Sequence, residues 1–517
     1  MDDHTKNVEI MVSPPIGSLR RVSSELDEKQ HHGDNIVDWN GSEDAANPRN
    51  WSPRMKMVHV MLVSAFTFYS NIAAVIFAPG AQYLVKEFNI TDSLVASLTV
   101  SVYVLGYCVG PFLIAPLSEI YGRLIVYHVC NLVYEAFIIG CALSTNASMF
   151  LAFRFLCGCA GAAPMAVGGG TIADLYVSAE RGKAMALFSM GPLLGPVIGP
   201  VVGGFLTQYS GWRWTFWLIF IMVWHTIPEQ LLRVISNKKL SQAGIISLVS
   251  VVFMRETFEP VLLKRKAAAL RKTTGNDRLR ARTDDENVTQ WQLLGRAVAR
   301  PTKMLLFSPI ILLISLYCAL MFGLTYLLYT TFPAVFQDKY GWGPSLAGLA
   351  YLGLAIGMII SVGVIGAVSD KQLRKAKDAG EPVRPEIRLL LSVWMSPVVC
   401  VGFFWYGWGA QADTHWIVPV LGTFVIGFGS FMILMPSQIY LVDAFGAEAS
   451  ASALAANTFM RSLFGAFLPL AGPPLYKGLG LGWGNSLLAF ISLAFVPVPF
   501  LFFKYGERLR ARFPVDY

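Results

Sequence analysis

One carboxylic acid and two arginines lie within long apolar stretches of the chain, at Glu135, Arg154 and Arg461. A charged side chain at the centre of a bilayer costs at least about 2.5 kcal/mol, so residues of this kind point to function. In hydrocarbon a carboxyl group favours its neutral form, and Glu135 is therefore predicted to bind and release a proton. A guanidinium group keeps its charge and needs partners. For all three residues a purely structural role at a helix interface stays open.

Glycine and proline recur with a period of four between positions 191 and 204. The residues are Gly191, Pro192, Gly195, Pro196, Gly199, Pro200, Gly203 and Gly204. On a helix each set forms a narrow stripe, although in a soluble helix each proline costs about 3 kcal/mol and each glycine about 1 kcal/mol. The glycines predict close approach of a neighbouring helix, and the prolines predict unpaired carbonyl groups and a softer helix. Packing between small residues of membrane helices is the simpler alternative.

Helices that cross a membrane must position these residues. Of the 517 residues, 54% are hydrophobic and only 14% are charged, whereas soluble domains carry about 25% charged residues. We predict an all-α, multi-pass membrane protein in which apolar stretches of about 20 residues are the spans. Twelve stretches qualify, near 57–79, 95–115, 124–143, 149–171, 184–206, 213–254 (interrupted), 305–329, 345–368, 388–407, 416–440, 450–472 and 483–503. All seven cysteines lie in apolar segments, and this placement argues against a disulfide framework and against a zinc site.

Polar segments divide the spans into two groups of six. The predicted parts are a disordered cytoplasmic tail (1–56), a first six-helix bundle (57–254), a cytoplasmic central loop (255–303), a second six-helix bundle (304–504) and a cytoplasmic tail (505–517). With both termini in the cytoplasm, 32 of the 41 Lys and Arg residues fall on the cytoplasmic side and four on the outer side, as the positive-inside rule requires.

The two halves carry a similar short pattern. A small residue, an acid and a base follow span 2 (within Pro116–Arg123) and span 8 (within Gly366–Lys371). This pattern predicts two related, pseudo-symmetric bundles with a substrate site between them near the middle of the membrane.

The sixth span is interrupted by residues 224–243, which include Glu229, Arg233, Lys238 and Lys239. Without these twenty residues the flanking apolar segments would join into one span of 23 residues. We interpret the stretch as a translated, unspliced intron, because sixty nucleotides preserve the reading frame. A Val codon begins with GT and a Gln codon can end in AG, so an intron from Val223 through Gln242 has permissible ends. A genuine insertion around a broken helix is the alternative, and a translated insertion is expected to impair folding or transport.

Five stretches between residues 47 and 473 resemble those of the major facilitator superfamily, specifically of a fungal-type twelve-span drug:proton antiporter. They are Asn47–Ser52 (N-P-R-N-W-S), Pro116–Arg123 (P-L-S-E-I-Y-G-R), Arg154–Gly158 (R-F-L-C-G), the glycine–proline stretch, and Tyr440–Phe445 (Y-L-V-D-A-F) followed by Asn457, Arg461 and Ser462. The resemblance implies the fold of that family, with two pseudo-symmetric six-helix bundles, and an antiporter motif in the glycine–proline helix.

The resemblance also implies roles for charged residues. Glu119 and Arg123 are expected to form a conformational latch, with Asp174 as a partner and Asp370 as the equivalent acid of the second half. The alternatives are that Arg123 only sets the membrane topology and that Asp174 is a solvated acid in a loop. Arg154 is expected to take part in proton coupling or in the organisation of the bundle. Asp443 is a further candidate for proton coupling, although its place at the end of span 10 favours a role in gating.

Aromatic and polar residues indicate the substrate class. Tyr103, Tyr107, Tyr326, Tyr329, Asn457 and Arg461 are candidates to line an apolar cavity with polar tips, which would suit a bulky amphipathic molecule. The prediction is proton-coupled efflux of hydrophobic drugs, toxins or secondary metabolites by alternating access. A polyamine:proton antiporter and a transport-defective product are the alternatives. Because the chain has no G-x-x-x-x-G-K-[ST] signature, a proton gradient is the expected energy source, with no cofactor.

The remaining expectations concern partners and location. The chain is predicted to be a monomer that binds its amphipathic substrate, protons and the lipid bilayer but no nucleic acid or metal, and to have no enzymatic activity. The plasma membrane is the predicted location, and the vacuolar membrane is the alternative. Asn89 and Asn146 match the N-glycosylation pattern, but their short loops lie so close to the membrane that unmodified asparagine is favoured.

Overall fold

The computed structural model describes residues 35–177, 180–224, 254–283, 290–378 and 384–512, and most of these are helical. Beyond Trp224, the interruption predicted at 224–243 lies outside the described residues. The helices of the first half are α1 (Pro53–Val75), α2 (Ala81–Glu87), α3 (Ser93–Tyr121), α4 (Arg123–Ala142), α5 (Ala147–Gly161), α6 (Ala163–Leu175), α7 (Arg181–Ser210) and α8 (Arg213–Trp224).

The second half is also helical. Its helices are α10 (Gln290–Phe307), α11 (Pro309–Tyr340), α12 (Pro344–Leu349), α13 (Tyr351–Asp378), α14 (Leu390–Gln411), α15 (Ile417–Phe467), α16 (Gly472–Ala494) and α17 (Pro497–Arg512). Helix α15 contains a kink at Gly446, whose φ of 65° lies in the left-handed region. This glycine divides α15 into two membrane-spanning parts.

The described residues contain ten helical stretches that are long and apolar enough to cross a membrane. The last of them, Ala449–Arg512, has 64 residues, which corresponds to roughly 96 Å of helix and exceeds twice the thickness of the hydrocarbon core, about 30 Å. Helix α8 is apolar but too short to cross alone. The predicted total of twelve is reached if the last stretch provides two spans and α8 is part of another.

Residues 35–51 are folded, although the sequence predicts a disordered tail over 1–56. They belong to a compact unit with residues 258–283, in which β1 (Ile36–Val37) pairs in parallel with β2 (Arg280–Ala281) beside α9 (Glu259–Thr274). Val37 and Trp39 supply the apolar contacts to this small core, and the indole N–H of Trp39 donates to Glu259 at 3.2 Å. These two apolar residues explain why this part of the polar tail can fold.

The glycine stripe of α7 packs directly against the backbone of α1. A Cβ atom at Gly195 would lie 2.6 Å from Cβ of Asn71 and 2.9 Å from the backbone nitrogen of Ile72, and one at Gly203 would overlap the carbonyl oxygen of Ile76. Helix α7 nevertheless stays continuous through its three prolines. The stripe predicted from the sequence is thus a surface of close helix–helix contact.

We predict that Gly195→Ala destabilises the protein by about 1–3 kcal/mol, because the added Cβ meets backbone atoms that cannot rotate away. Gly169→Ala is the matched control, since a Cβ at Gly169 meets no atom within 4 Å and alanine favours the helix by up to about 1 kcal/mol. Thermal unfolding of the purified protein in detergent measures both. Equal Tm values for the two variants would contradict the close contact.

Candidate functional site

A cluster of hydroxyl groups lies in the interior of the first half. The rings of Tyr103 and Tyr107, one turn apart on α3, have centroids 5.2 Å apart. The Ser70 hydroxyl is within hydrogen-bond distance of both tyrosine hydroxyls and donates to the carbonyl oxygen of Gly161. Sequence reasoning missed Ser70, because a serine in an apolar span carries no signal of its own.

The second half contributes the other two candidate tyrosines from α11. Tyr326 and Tyr329 have ring centroids 5.3 Å apart, and Tyr351 donates from its hydroxyl to the carbonyl oxygen of Tyr329 at 2.5 Å. Tyr326 is close enough to interact electrostatically with Tyr107 of the first half. The structure therefore brings the four predicted cavity tyrosines to the region where the halves meet.

Arg154 is fully buried in the first half. Its guanidinium donates to the carbonyl oxygens of Ala73 at 2.8 Å and Ala74 at 3.3 Å and lies 4.7 Å from the ring centroid of Tyr103. Its Nε atom has no hydrogen-bond partner. Backbone carbonyls and aromatic rings, rather than a carboxylate, surround this charge.

Arg461 is the corresponding cation of the second half, near the middle of the second part of α15. Its guanidinium carbon lies 4.8 Å from the ring centroid of Phe322, and its Nε atom also lacks a hydrogen-bond partner. Asn457, one turn earlier, is buried and donates to Ser315 at 3.5 Å, at the limit of hydrogen-bond distance. Tyr326 interacts electrostatically with both Arg154 and Arg461, so these three predicted residues lie near one another.

Glu135 is buried on α4, and its Oε1 atom has no hydrogen-bond partner. One turn earlier, Asn131 has an unpartnered Nδ2 atom and lines a small cavity together with Ser70 and Tyr134. The cavity offers about 10 Å³ of space for water centres, enough for about one water molecule.

The end of the bundle at the Tyr121–Arg123 turn, here called the latch end, holds the predicted latch. Nε of Arg123 lies 3.3 Å from a carboxylate oxygen of Asp174, and Nη1 donates to the Ser118 hydroxyl at 2.6 Å. Glu119, which was predicted as part of the latch, is exposed. The side chain of Asp370 lies outside the described part of the structure, so its role stays a prediction.

Glu256 is a buried acid at the latch end that sequence reasoning missed. Its carboxylate accepts from the backbone N–H groups of Arg123 at 2.9 Å and Leu124 at 3.2 Å, and so caps the N-terminus of α4, where negative charge is favourable. Gly122 makes this approach possible: its φ is 97°, and a Cβ there would overlap the carboxylate of Glu256. The sequence places Glu256 at the start of a polar stretch, which is typical of a solvated loop.

The residues on either side of Glu256 bind two more helices. Thr257 donates from its hydroxyl to Asp174 at 3.3 Å, at the end of α6. The backbone N–H of Arg255 donates to Nε2 of buried His59 on α1 at 2.8 Å. Residues 255–257 thus join α1, α4 and α6 and belong structurally to the first half, although the sequence assigns them to the central loop.

The two halves contact each other at both ends of the tyrosine and arginine region. Near the Ser210–Arg213 turn, a Cβ at Gly204 would overlap the carbonyl oxygen of Pro344, and Gln208 accepts from the backbone N–H of Ser345 at 3.1 Å. Toward the latch end, the rings of Phe112 and Phe459 have centroids 5.3 Å apart. These contacts lie between the tyrosine and arginine region and the two ends of the bundle.

Three further predicted residues lie away from this centre. Asp443 pairs with Nε of Arg388 at 3.0 Å, with 38% of its side chain exposed, which is a poor setting for a proton carrier inside the membrane. Asn89 and Asn146 are both exposed. Asn146 caps α5 by accepting from the backbone N–H of Met149 at 2.9 Å.

Comparisons with known proteins agree with this architecture. The family model described as Major Facilitator Superfamily matches residues 61–469. The MFS transporter prlG of a fungal species is 66% identical over 480 residues, which cover 93% of this chain and 97% of that protein. The Trichosetin biosynthesis cluster MFS transporter of Gibberella fujikuroi is 51% identical over 500 residues, which cover 96% and 93%.

Among solved structures, the fold is similar to the partially occluded, inward-open xylose transporter XylE from E. coli. The TM-score is 0.62 at 14% identity, and the match covers 87% of this chain and 98% of that one. At this identity the likeness concerns the fold alone.

We predict that Glu256→Gln lowers the free energy of unfolding by about 1–3 kcal/mol, because an amide nitrogen then faces backbone donors that lose their acceptor. Glu119→Gln makes the same chemical change at an exposed position and is expected to stay within about 0.5 kcal/mol of the unmodified protein. Thermal unfolding in detergent compares the two. A larger loss in Glu119→Gln than in Glu256→Gln would contradict the cap.

Proposed function

The chain belongs to the major facilitator superfamily, and from this premise we propose that it exports an amphipathic secondary metabolite in exchange for protons. It is a multi-pass membrane transporter whose relatives include one named for a biosynthesis cluster. The observation that carries the proposal is the centre itself, where tyrosines and arginines from both halves meet. Aromatic rings suit an apolar carbon skeleton, and hydroxyl and guanidinium groups suit its polar part.

Alternating access follows from the two sets of contacts between the halves. Opening of the contact between Gln208 and Ser345 would expose the centre on one side of the membrane. Opening of the contact between Phe112 and Phe459 would expose it on the other side. The site itself need not move far, because only the barrier changes sides.

Proton coupling is assigned to Glu135 in this proposal. Its buried, unpartnered carboxyl oxygen lies one turn from Asn131, whose cavity also contacts Ser70 and Tyr134. Water in that cavity could connect Glu135 to the hydroxyl cluster. Arg154 would help to organise the bundle through its hydrogen bonds to backbone carbonyls. Asp443 would contribute to gating through its ion pair with Arg388.

The polyamine alternative has less support. A polyamine needs several carboxylates, and in the described part of the membrane-spanning helices Glu135 is the acid that lies near the middle of a span. We further propose that the transporter acts as a monomer in the plasma membrane, with both termini in the cytoplasm.

Transport in proteoliposomes with an acidic lumen tests the proposal. Three fluorescent probes of equal size, pyrenebutyric acid, its primary amide and pyrenebutylamine, cover the three charge classes. We expect at least one probe to accumulate above its level in protein-free liposomes, and the excess to disappear when nigericin collapses the pH gradient. Accumulation that ignores nigericin, or none for any probe, would contradict proton-coupled export. A form without residues 224–243, assayed in parallel, tests whether that stretch makes the full chain defective.

We predict that Glu135→Gln reduces gradient-driven accumulation to the level of protein-free liposomes, because an amide cannot release a proton. Binding of the probe to the detergent-solubilised variant should persist. Glu180→Gln is the control, since Glu180 is an exposed residue before α7 and its loss should leave transport unchanged. Full gradient-driven transport by Glu135→Gln would remove this residue from the mechanism.

A further inference from the structure

The centre of the transporter carries two positive charges without negative partners. Neither Arg154 nor Arg461 forms an ion pair with a carboxylate of the described residues, and each has an Nε atom without a hydrogen-bond partner. Buried charges in proteins are normally paired, because the cost of removing them from water is otherwise not offset. Among the described residues, the two guanidinium groups therefore keep capacity to bind an anion.

The two arginines belong to different halves but act on one place. Arg154 lies beneath the ring of Tyr103 in the first half, and Arg461 lies beside Phe322 in the second half. Tyr326 is in electrostatic range of both. The positive potential of the two cations thus adds in the space beside Tyr326.

Arg461 is better placed than Arg154 to contact a ligand. Arg154 is fully buried and already donates to two carbonyl oxygens. Arg461 is partly exposed, although it lies near the middle of a membrane-spanning helix. Asn457, one turn away, is held by a long hydrogen bond to Ser315 and by Cys318, and it lies on the same side of the helix as Arg461.

We propose that Arg461, assisted by the field of Arg154, binds the anionic group of the substrate, which is an amphipathic organic acid. The inference rests on the proposed export function and names its substrate class. A guanidinium group pairs with a carboxylate, or with another delocalised oxyanion, through two parallel hydrogen bonds. The hydroxyl group of Tyr326 supplies a further donor, and the aromatic rings hold the apolar part. A cationic substrate would be repelled, and a neutral one would leave both charges unpaired.

Binding to the purified full-length protein in detergent tests the inference, with energy transfer from tryptophan to the pyrene group as the signal. We expect pyrenebutyrate to bind with a Kd at least about tenfold lower than its primary amide, and pyrenebutylamine to bind more weakly than both. In Arg461→Gln the Kd for the acid should rise to that of the amide, while the Kd for the amide stays the same. Arg461→Lys should keep part of the preference. Arg384→Gln removes an arginine from an exposed ion pair and should keep all of it.

Several results would overturn the inference. They are an amide or amine that binds the unmodified protein as tightly as the acid, an unchanged preference for the acid in Arg461→Gln, and no binding of any probe up to its solubility. If Arg461→Gln does not fold, Arg461→Lys and the order of the three probes on the unmodified protein decide. Gradient-driven transport of the amine or amide alone would support the proposed export function and rule out an organic acid as the substrate class. Arginine-dependent binding of the acid without gradient-driven transport would support the acid as ligand and contradict proton-coupled export.

Discussion

Direct backbone contact along α7 is the constraint on which the arrangement of both halves depends. Its glycines at 191, 195, 199 and 203 face α1, and Gly204 faces α12 of the other half. Backbone atoms take part in each of these contacts, so the helices cannot approach each other more closely. A glycine surface of this kind holds α1 and α7 together as a unit and presents a smooth contact to the second half. The three prolines of α7 leave some of its carbonyl groups without a backbone donor, and the helix nevertheless remains continuous.

The contacts at the two ends of the transporter differ in their chemistry. At the latch end, charged and polar groups hold the first half together: Arg123 with Asp174, and Glu256 with the N-terminus of α4. At the opposite end, the halves meet through backbone atoms and a hydrogen bond from Ser345 to Gln208. The latch end therefore depends on charged side chains within one half, and the opposite end on backbone contact between the halves.

Periodicity and residue type were enough to predict the helical membrane fold and the glycine stripe, because both depend on local spacing along a helix. The meeting of tyrosines from α3 and α11 depends on which helix faces point inward, and local spacing does not show this. Glu256 was not predictable, because its burial depends on Gly122, which is distant in sequence, and a polar stretch follows it. Glu119 and Asp174 carry the same charge and lie at comparable boundaries, yet Asp174 approaches Arg123 to 3.3 Å while Glu119 is exposed. Which acid approaches a base is decided by tertiary packing.

The unpaired arginines also give the protein an electrical property. In alternating access, water reaches the centre first from one side and then from the other, so the part of the membrane voltage that lies between Arg461 and each solution changes. Moving one elementary charge through 100 mV is worth about 2.3 kcal/mol, and even a partial change acts on both arginines together. The membrane voltage therefore biases which way the empty transporter faces. A bound anion cancels part of that charge and makes the loaded transporter less sensitive to voltage than the empty one.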